Sequence, residues 1–175
     1  MALRATFNMP DINALTERKK QAFHDAVVYR LNYLGFECYK IARERGSYID
    51  QTSNLRSSTG YIILYDGTLV KSGGFEQIKS SKEGIRTKYG KLDKRYKANK
   101  SIIEKKEGDD IGKELAFKIA NEYQSGYVLI VVAGMEYALS VESKGYDVLT
   151  SAELYAKDEI KDILKKVVSD VAKIK

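Results

Sequence analysis

Asp50-Gln51-Thr52-Ser53-Asn54-Leu55-Arg56-Ser57-Ser58-Thr59-Gly60-Tyr61 is the stretch on which the fold of this 175-residue chain turns. Before it, apolar residues recur at helical spacing. After it, a strand-turn-strand pattern begins. Asp50, Thr52 and Ser53 have side chains that accept from nearby backbone N–H groups and fix a chain reversal. Leu55 then enters the core. Arg56 offers a planar fork of donors suited to a carboxylate such as Glu136 or Glu142, in the same protomer or a neighbour. No nucleophile, base and acid stand together here, so the junction reads as a structural device.

Upstream, residues 1–10 read as an arm closed by Pro10, and Asp11 as the cap of a helix that runs to Arg45, with Gly46 as its stop. Unbroken, that helix has about 34 residues and a length of about 50 Å. A kink at Gly35 and a second helix starting at Thr16 stay open as alternatives. Phe23, Val27, Leu31, Leu34, Cys38 and Ile41 form the core face. Ala22, Ala26, Tyr29, Tyr33 and Phe36 form a second stripe, rotated by about 135°. Aromatic residues are enriched at subunit interfaces, which makes Ala26, Tyr29, Tyr33 and Phe36 a candidate oligomer contact. The competing reading packs them on other helices of the same chain.

Downstream, Tyr61 to Tyr65 reads as a strand, Asp66-Gly67 as a two-residue hairpin turn, and Thr68 to Lys71 as the returning strand, broken by Ser72-Gly73-Gly74. Ile111, Leu115, Ile119 and Tyr123 mark the core side of a second helix capped by Asp109 or Asp110. Tyr127 to Ala133 is a continuous apolar run and predicts a central strand buried on both faces. Met135 to Val141 continues as a strand or a short helix, and Gly145-Tyr146-Asp147 as a turn. Thr150-Ser151-Ala152-Glu153 has the form of a capping box. It opens a last helix with Leu154, Ile160, Ile163, Leu164, Val167, Val168, Val171 and Ile174 turned inward. The expected fold is α+β. A long N-terminal helix, a β-hairpin and a central strand form a small mixed sheet packed by two further helices, with a basic loop insertion. Residues 11–175 make one domain with a basic excursion over 73–108.

That excursion dominates the electrostatics. From Lys71 to Lys106 there are twelve basic and four acidic residues, an excess of +8 within a total of +6, so the remainder carries −2. Lys82, Arg86, Lys88, Lys91, Lys94, Arg95 and Lys97 are the candidates for facing DNA or an acidic partner, since cations near phosphates release counterions whatever the sequence. Tyr89 and Tyr96 lie among them and are able to stack on bases. The plainer reading is a solvated loop.

Catalytic and cofactor chemistry find little support. His24 and Cys38 are the only histidine and cysteine and make no zinc set. His24 reads as a solvated helix residue, Cys38 as a buried, inert thiol. Asp50, Glu136, Glu142 and Asp147 offer carboxylates for a magnesium nuclease, but their spacing does not demand it. No phosphate-cradling loop opens into a helix. No apolar run approaches the roughly 20 residues that span a bilayer, and the N-terminus has no secretory pattern. Neither an enzyme nor a cofactor is expected.

The junction stretch resembles the Asp-Thr-Gly-x-Leu-Arg-x-Ser signature of the tail-component family of long-tailed bacteriophages, which comprises neck and tail-completion proteins. Asp50, Thr52, Asn54, Leu55, Arg56 and Ser58 carry the likeness. Ser53 stands where the family usually has Gly, and Gln51 is an added residue. Ala133-Gly134-Met135-Glu136-Tyr137-Ala138-Leu139-Ser140-Val141-Glu142-Ser143-Lys144-Gly145 is similar to the family's Tyr-Ala-x-x-Val-Glu-x-Gly segment, through Tyr137, Ala138, Val141, Glu142 and Gly145. The likeness spans about residues 16–170, interrupted by the basic stretch. It implies a virion structural protein at the head–tail junction or upper tail. Such a protein forms a homo-oligomeric ring, touches neighbouring connector and tail proteins and has no membrane partner. The alternative is a non-enzymatic nucleic-acid-binding protein of a mobile element that uses residues 79–106.

Overall fold

Asp66 and Gly67 take positive φ angles of 47° and 73°, the backbone of the hairpin turn that their residue types favour. The computed structural model describes residues 9–48, 53–78 and 108–172. The turn folds β1 (Thr59–Tyr65) back on β2 (Thr68–Gly74) in antiparallel register. Between the pairs Ile63–Lys71 and Leu64–Leu69 the register shifts and Val70 bulges out of β2. β2 runs on to Gly74, through the glycines expected to break it. The cause is Tyr61, which lies opposite Gly73; a Cβ on that glycine would fall 2.6 Å from the ring's Cε1. The glycines make room for a ring and do not end the strand.

β3 (Tyr127–Ala133) pairs antiparallel with the other side of β1, giving the order β2-β1-β3. Among the described residues the sheet is therefore antiparallel, not mixed, and the apolar run 127–133 is an edge strand, not the central one. Its side chains are apolar because helices cover both faces of the sheet. Which strand lies in the middle is a matter of backbone pairing, to which those side chains are indifferent.

Helices flank the sheet on both sides. On one face, Ile62 and Leu64 of β1 and Ile130 and Val132 of β3 pack with Phe75 and with Ala116 and Ala120 of α3 (Gly108–Ala120). On the other, Tyr61 and Ile63 meet Val27, Leu31 and Tyr39 of α1 (Met9–Arg45) and Val167 of α5 (Thr150–Ala172). Two short helices, α2 (Asn54–Ser57) and α4 (Ala138–Ser143), complete the described elements. No helix among the described residues is long and apolar enough to cross a membrane.

α1 is one unbroken helix of 37 residues. It starts before the expected cap, and Pro10 sits in its first turn, where its missing N–H has no intrahelical acceptor to lose. Gly35 is buried within it and does not interrupt it. Thr16 donates back to the Ile12 carbonyl at 2.8 Å and opens no second helix. Val27, Leu31, Leu34 and Cys38 are buried as their spacing predicts, whereas Phe23 is exposed at the end of the row. The Arg30 guanidinium donates to Asp170 at 2.6 Å, and Cys38 Sγ to the Ala152 carbonyl at 3.6 Å, tying α1 to α5 along its length.

α3 buries a different row from the expected one. Gly108, Gly112, Ala116 and Ala120 face inward, Ile111, Leu115 and Ile119 are half-buried, and Tyr123 is exposed. The helix lies so close to the start of the sheet that a Cβ on Gly112 would come 2.2 Å from the Ser58 carbonyl oxygen. On α5, Ile163 and Val167 are buried and Ile160 packs on the core, while Leu154, Leu164 and Val168 are exposed, against expectation. Ile174 lies outside the described residues.

Candidate functional site

The signature junction is held by its own hydroxyls. Ser57 Oγ donates to the Ser53 carbonyl at 2.7 Å and accepts from Ile78 N–H at 3.0 Å. Ser58 Oγ donates to the Leu55 carbonyl at 2.8 Å and accepts from Gly134 N–H at 3.1 Å. Thr59 Oγ1 donates to the Leu55 carbonyl at 3.1 Å. Three consecutive side chains thus bind the α2 turn to itself, to the exit of β3 and to the chain after β2. Ser57, Ser58 and Thr59 are all buried, and each hydroxyl already has its partner. Such groups satisfy backbone polarity in an apolar setting.

Ser53 acts differently from the expected cap. Its side chain makes no capping bond; its backbone takes φ 60°, the left-handed region that favours glycine. The position where the resemblance departs from the family's Gly is therefore one whose backbone suits Gly. Asp50 and Thr52 lie outside the described residues.

The second signature segment meets the first. Leu55, only 1% exposed, shares one apolar cluster with Tyr48, Ala133, Ala138 and Val148, and Met135, Val141 and Leu149 pack against it. Tyr137 is exposed on the outside of this cluster, and Gly145 turns the chain after α4 with φ 87°. Asn54 opens the α2 turn, and its carbonyl accepts from Ser58 N–H at 2.8 Å.

Within one protomer Arg56 pairs with neither of the two carboxylates suggested for it, Glu136 and Glu142; a pair across to a neighbour lies outside a single chain. Glu142 Oε1 accepts from Leu149 N–H at 3.1 Å, Thr150 N–H at 2.9 Å and the Thr150 hydroxyl at 2.6 Å. Asp147 Oδ1 accepts from Ser151 N–H at 3.1 Å. The α5 N-terminus is thus capped by two upstream carboxylates, and Glu153 of the expected capping box pairs with Lys157. Burial alone pushes the Glu142 carboxyl up; the hydrogen bonds from the Thr150 side chain, Leu149 N–H and Thr150 N–H outweigh it and hold it below the usual value. Arg56 lies over the Tyr48 ring, 5.5 Å from its centroid, and reaches the Gly46 carbonyl at 3.4 Å. Of the four carboxylates considered for a magnesium site, Glu142 and Asp147 are committed to helix capping, and Asp50 lies outside the described residues.

The aromatic stripe on α1 faces outward. Tyr29, Tyr33 and Phe36 are 68%, 55% and 49% exposed, so the described helices of their own chain leave much of the stripe uncovered. Ala26 does not belong with them: it is half-buried and packs against the Val27–Leu31 cluster. At the stripe's far end an open groove of about 550 Å³ is lined by Phe36, Lys40, Arg43, Arg56 and Ile78. Ile78 lies within the basic segment and is its last described residue before 79–107. Lys82, Arg86, Lys88, Lys91, Lys94, Arg95 and Lys97 lie outside the described residues.

His24 is not the solvated helix residue it reads as. Its ring sits 4.8 Å from that of Tyr65, and its Nδ1 lies 2.9 Å from the Tyr127 hydroxyl. The ends of β1 and β3 bring these three rings to one turn of α1, and no local pattern around His24 points to it. Cys38 is buried, and burial, followed by the nearby Glu37 charge, pushes its thiol up to about 11. Among the described residues, no group of three or more His, Cys, Asp or Glu side chains is placed to hold a metal ion.

Comparison with family models, with curated proteins and with solved structures finds no match to this chain.

Proposed function

We propose that this chain is a structural protein of a tailed-bacteriophage virion, a neck or tail-completion component. It assembles with copies of itself into a ring at the head–tail junction or upper tail. The observation that carries this is the meeting of Leu55 with Ala138 and Val141: two segments that resemble one family's signatures, far apart in sequence, are packed into a single cluster. The left-handed backbone at Ser53, where the family usually has Gly, supports the same reading. The outward-facing Tyr29, Tyr33 and Phe36 supply the contact for a neighbouring copy, and adjoining connector and tail proteins are the further partners.

In this role the protein performs no bond-making step. The excess of +8 between Lys71 and Lys106, repeated around a ring, gives a strong positive field for DNA in the channel or for an acidic neighbour. The same charge excess favours a second reading, a free nucleic-acid-binding protein that uses residues 79–106.

Light scattering on the purified chain, together with detection of the protein in purified particles, tests the proposal. A ring-sized assembly and a constant copy number per particle are the expected results. Absence from particles, combined with strong salt-dependent DNA binding by a monomer that is lost on deleting 79–106, selects the second reading.

A further inference from the structure

The two edges of the sheet are built on opposite rules. An edge strand exposes a row of unpaired backbone groups, and soluble proteins blunt such edges with charge, bulges or short strands. β2 follows this pattern: it bulges at Val70, carries Lys71 and ends in two glycines. β3 does not. Tyr-Val-Leu-Ile-Val-Val-Ala holds no charge, proline or glycine, and its register with β1 is unbroken over seven pairs. Tyr127, Val128, Leu129 and Val131 are half-buried, and among the described residues no strand pairs with the outer side of β3.

The helices over β3 carry the same signal. Leu115 and Ile119 of α3 are half-buried beside Val128 on one face. On the other, α5 covers Leu129 and Val131 through Ile160 and Ile163, and one step round that helix Leu164 and Val168 stand 56% and 66% exposed. The helical layer that covers β3 on this face thus also carries exposed apolar side chains.

We propose that the outer edge of β3, Tyr127–Ala133, pairs antiparallel with β3 of a second copy of this chain, joining two three-stranded sheets into one of six. The strand is complementary to itself. In an antiparallel pair centred near Ile130, Leu129 faces Val131 and Val128 faces Val132, apolar against apolar, and no like charges meet. A two-fold axis perpendicular to the sheet leaves each helical layer on its own side, so Leu164 and Val168 approach the same layer of the partner. Self-pairing of β2 would instead bring two copies of Lys71 together at a bulged edge.

This contact is two-fold, whereas ring closure by the α1 stripe is head-to-tail, so the two surfaces are separable. Single cysteines at Val128, Leu129, Ile130 and Val131 read the β3 pairing directly. In any antiparallel two-fold pair one residue faces its own counterpart within reach of a disulfide. Cys38, buried with a raised thiol, does not compete. The expected result is oxidative cross-linking at one position and little at its neighbours, in the full chain and equally in a Tyr29→Asp, Tyr33→Asp background. Light scattering of that background should show a dimer, converted to monomer by Leu164→Lys with Val168→Lys. A monomeric Tyr29→Asp, Tyr33→Asp chain, or a dimer that cross-links at none of the four positions, overturns the proposal. Either result leaves the ring reading of the α1 stripe untouched.

Discussion

The ring of Tyr61 lies against Gly35 of α1 so closely that a methyl group on that glycine would sit 2.5 Å from Tyr61 Cδ2. Gly73 of β2 closes the opposite side, and the Tyr61 hydroxyl donates to Asn32 Oδ1 at 3.1 Å. The ring is thus held between a helix and a strand and has no room to retreat. Helix propensity alone favours alanine over glycine at position 35 by about 1 kcal/mol. Overpacking costs roughly 1–3 kcal/mol and acts in the opposite direction. Gly35→Ala is expected to lower the urea midpoint, for a net loss of about 1 kcal/mol. Gly112→Ala should lose more, roughly 3 kcal/mol, because there the methyl group meets the Ser58 backbone carbonyl rather than a side chain. A Gly35→Ala chain as stable as the wild type would show that α1 can lift off the sheet freely.

Ser53 stores a small strain. A non-glycine residue in the left-handed region carries about 1–2 kcal/mol of steric cost, and a β-branched residue carries more. Part of the gain from glycine is cancelled by its greater freedom in the unfolded chain. Ser53→Gly should therefore unfold no earlier than the wild type, and Ser53→Val about 1–2 kcal/mol earlier. Equal thermal midpoints for Ser53→Gly and Ser53→Val would remove the backbone argument that links this position to the family's glycine.

Glu142 gives the protein an acid limb. Its folded carboxyl titrates below the usual value of a glutamate, because the Thr150 and Leu149 hydrogen bonds outweigh burial. A group whose folded pKa is depressed contributes stability above its unfolded pKa and loses it as pH falls through the folded one. Glu142→Gln should cost about 1 kcal/mol near neutral pH, the usual scale of a lost helix cap. The difference from wild type should shrink steadily below about pH 4.5. Denaturant titrations at neutral and acid pH measure both; a difference that grows toward acid would contradict the capping role.

Tyr29 and Tyr33 test assembly without testing folding. Both are more than half exposed, and surface substitutions of this kind change stability by about 0.5 kcal/mol or less. Tyr29→Asp with Tyr33→Asp is expected to dissolve the ring-sized species in light scattering while leaving the melting temperature within a few degrees of wild type. A ring of unchanged mass would remove the stripe from the interface.

Much of this was legible in the chain itself. The Asp66-Gly67 turn, the extent of α1 to Arg45 and the burial of Val27, Leu31, Leu34 and Cys38 follow from local rules that operate within a few residues. The second stripe of α1 was legible as a pattern, but its exposure was not, because periodicity does not say whether another helix covers a face. The row Gly108, Gly112, Ala116 and Ala120 recurs at a spacing of four, but the larger Ile111, Leu115 and Ile119 give the other face the stronger apolar signal. The larger side chains lost the buried face because the helix approaches backbone to backbone, where only small residues fit.

By itself the sequence determined the three long helices, the three strands and their order, the hairpin turn, the two stripes of α1 and the concentration of charge between Lys71 and Lys106. Those features depend on near neighbours and on composition. Only the tertiary structure decided that β1 and not β3 is central, that Glu142 and Asp147 cap α5, that His24 joins Tyr65 and Tyr127, and that Leu55 meets Ala138. Each of these joins groups from different elements. Backbone pairing and close packing settle such choices among distant partners, and no local spacing encodes them.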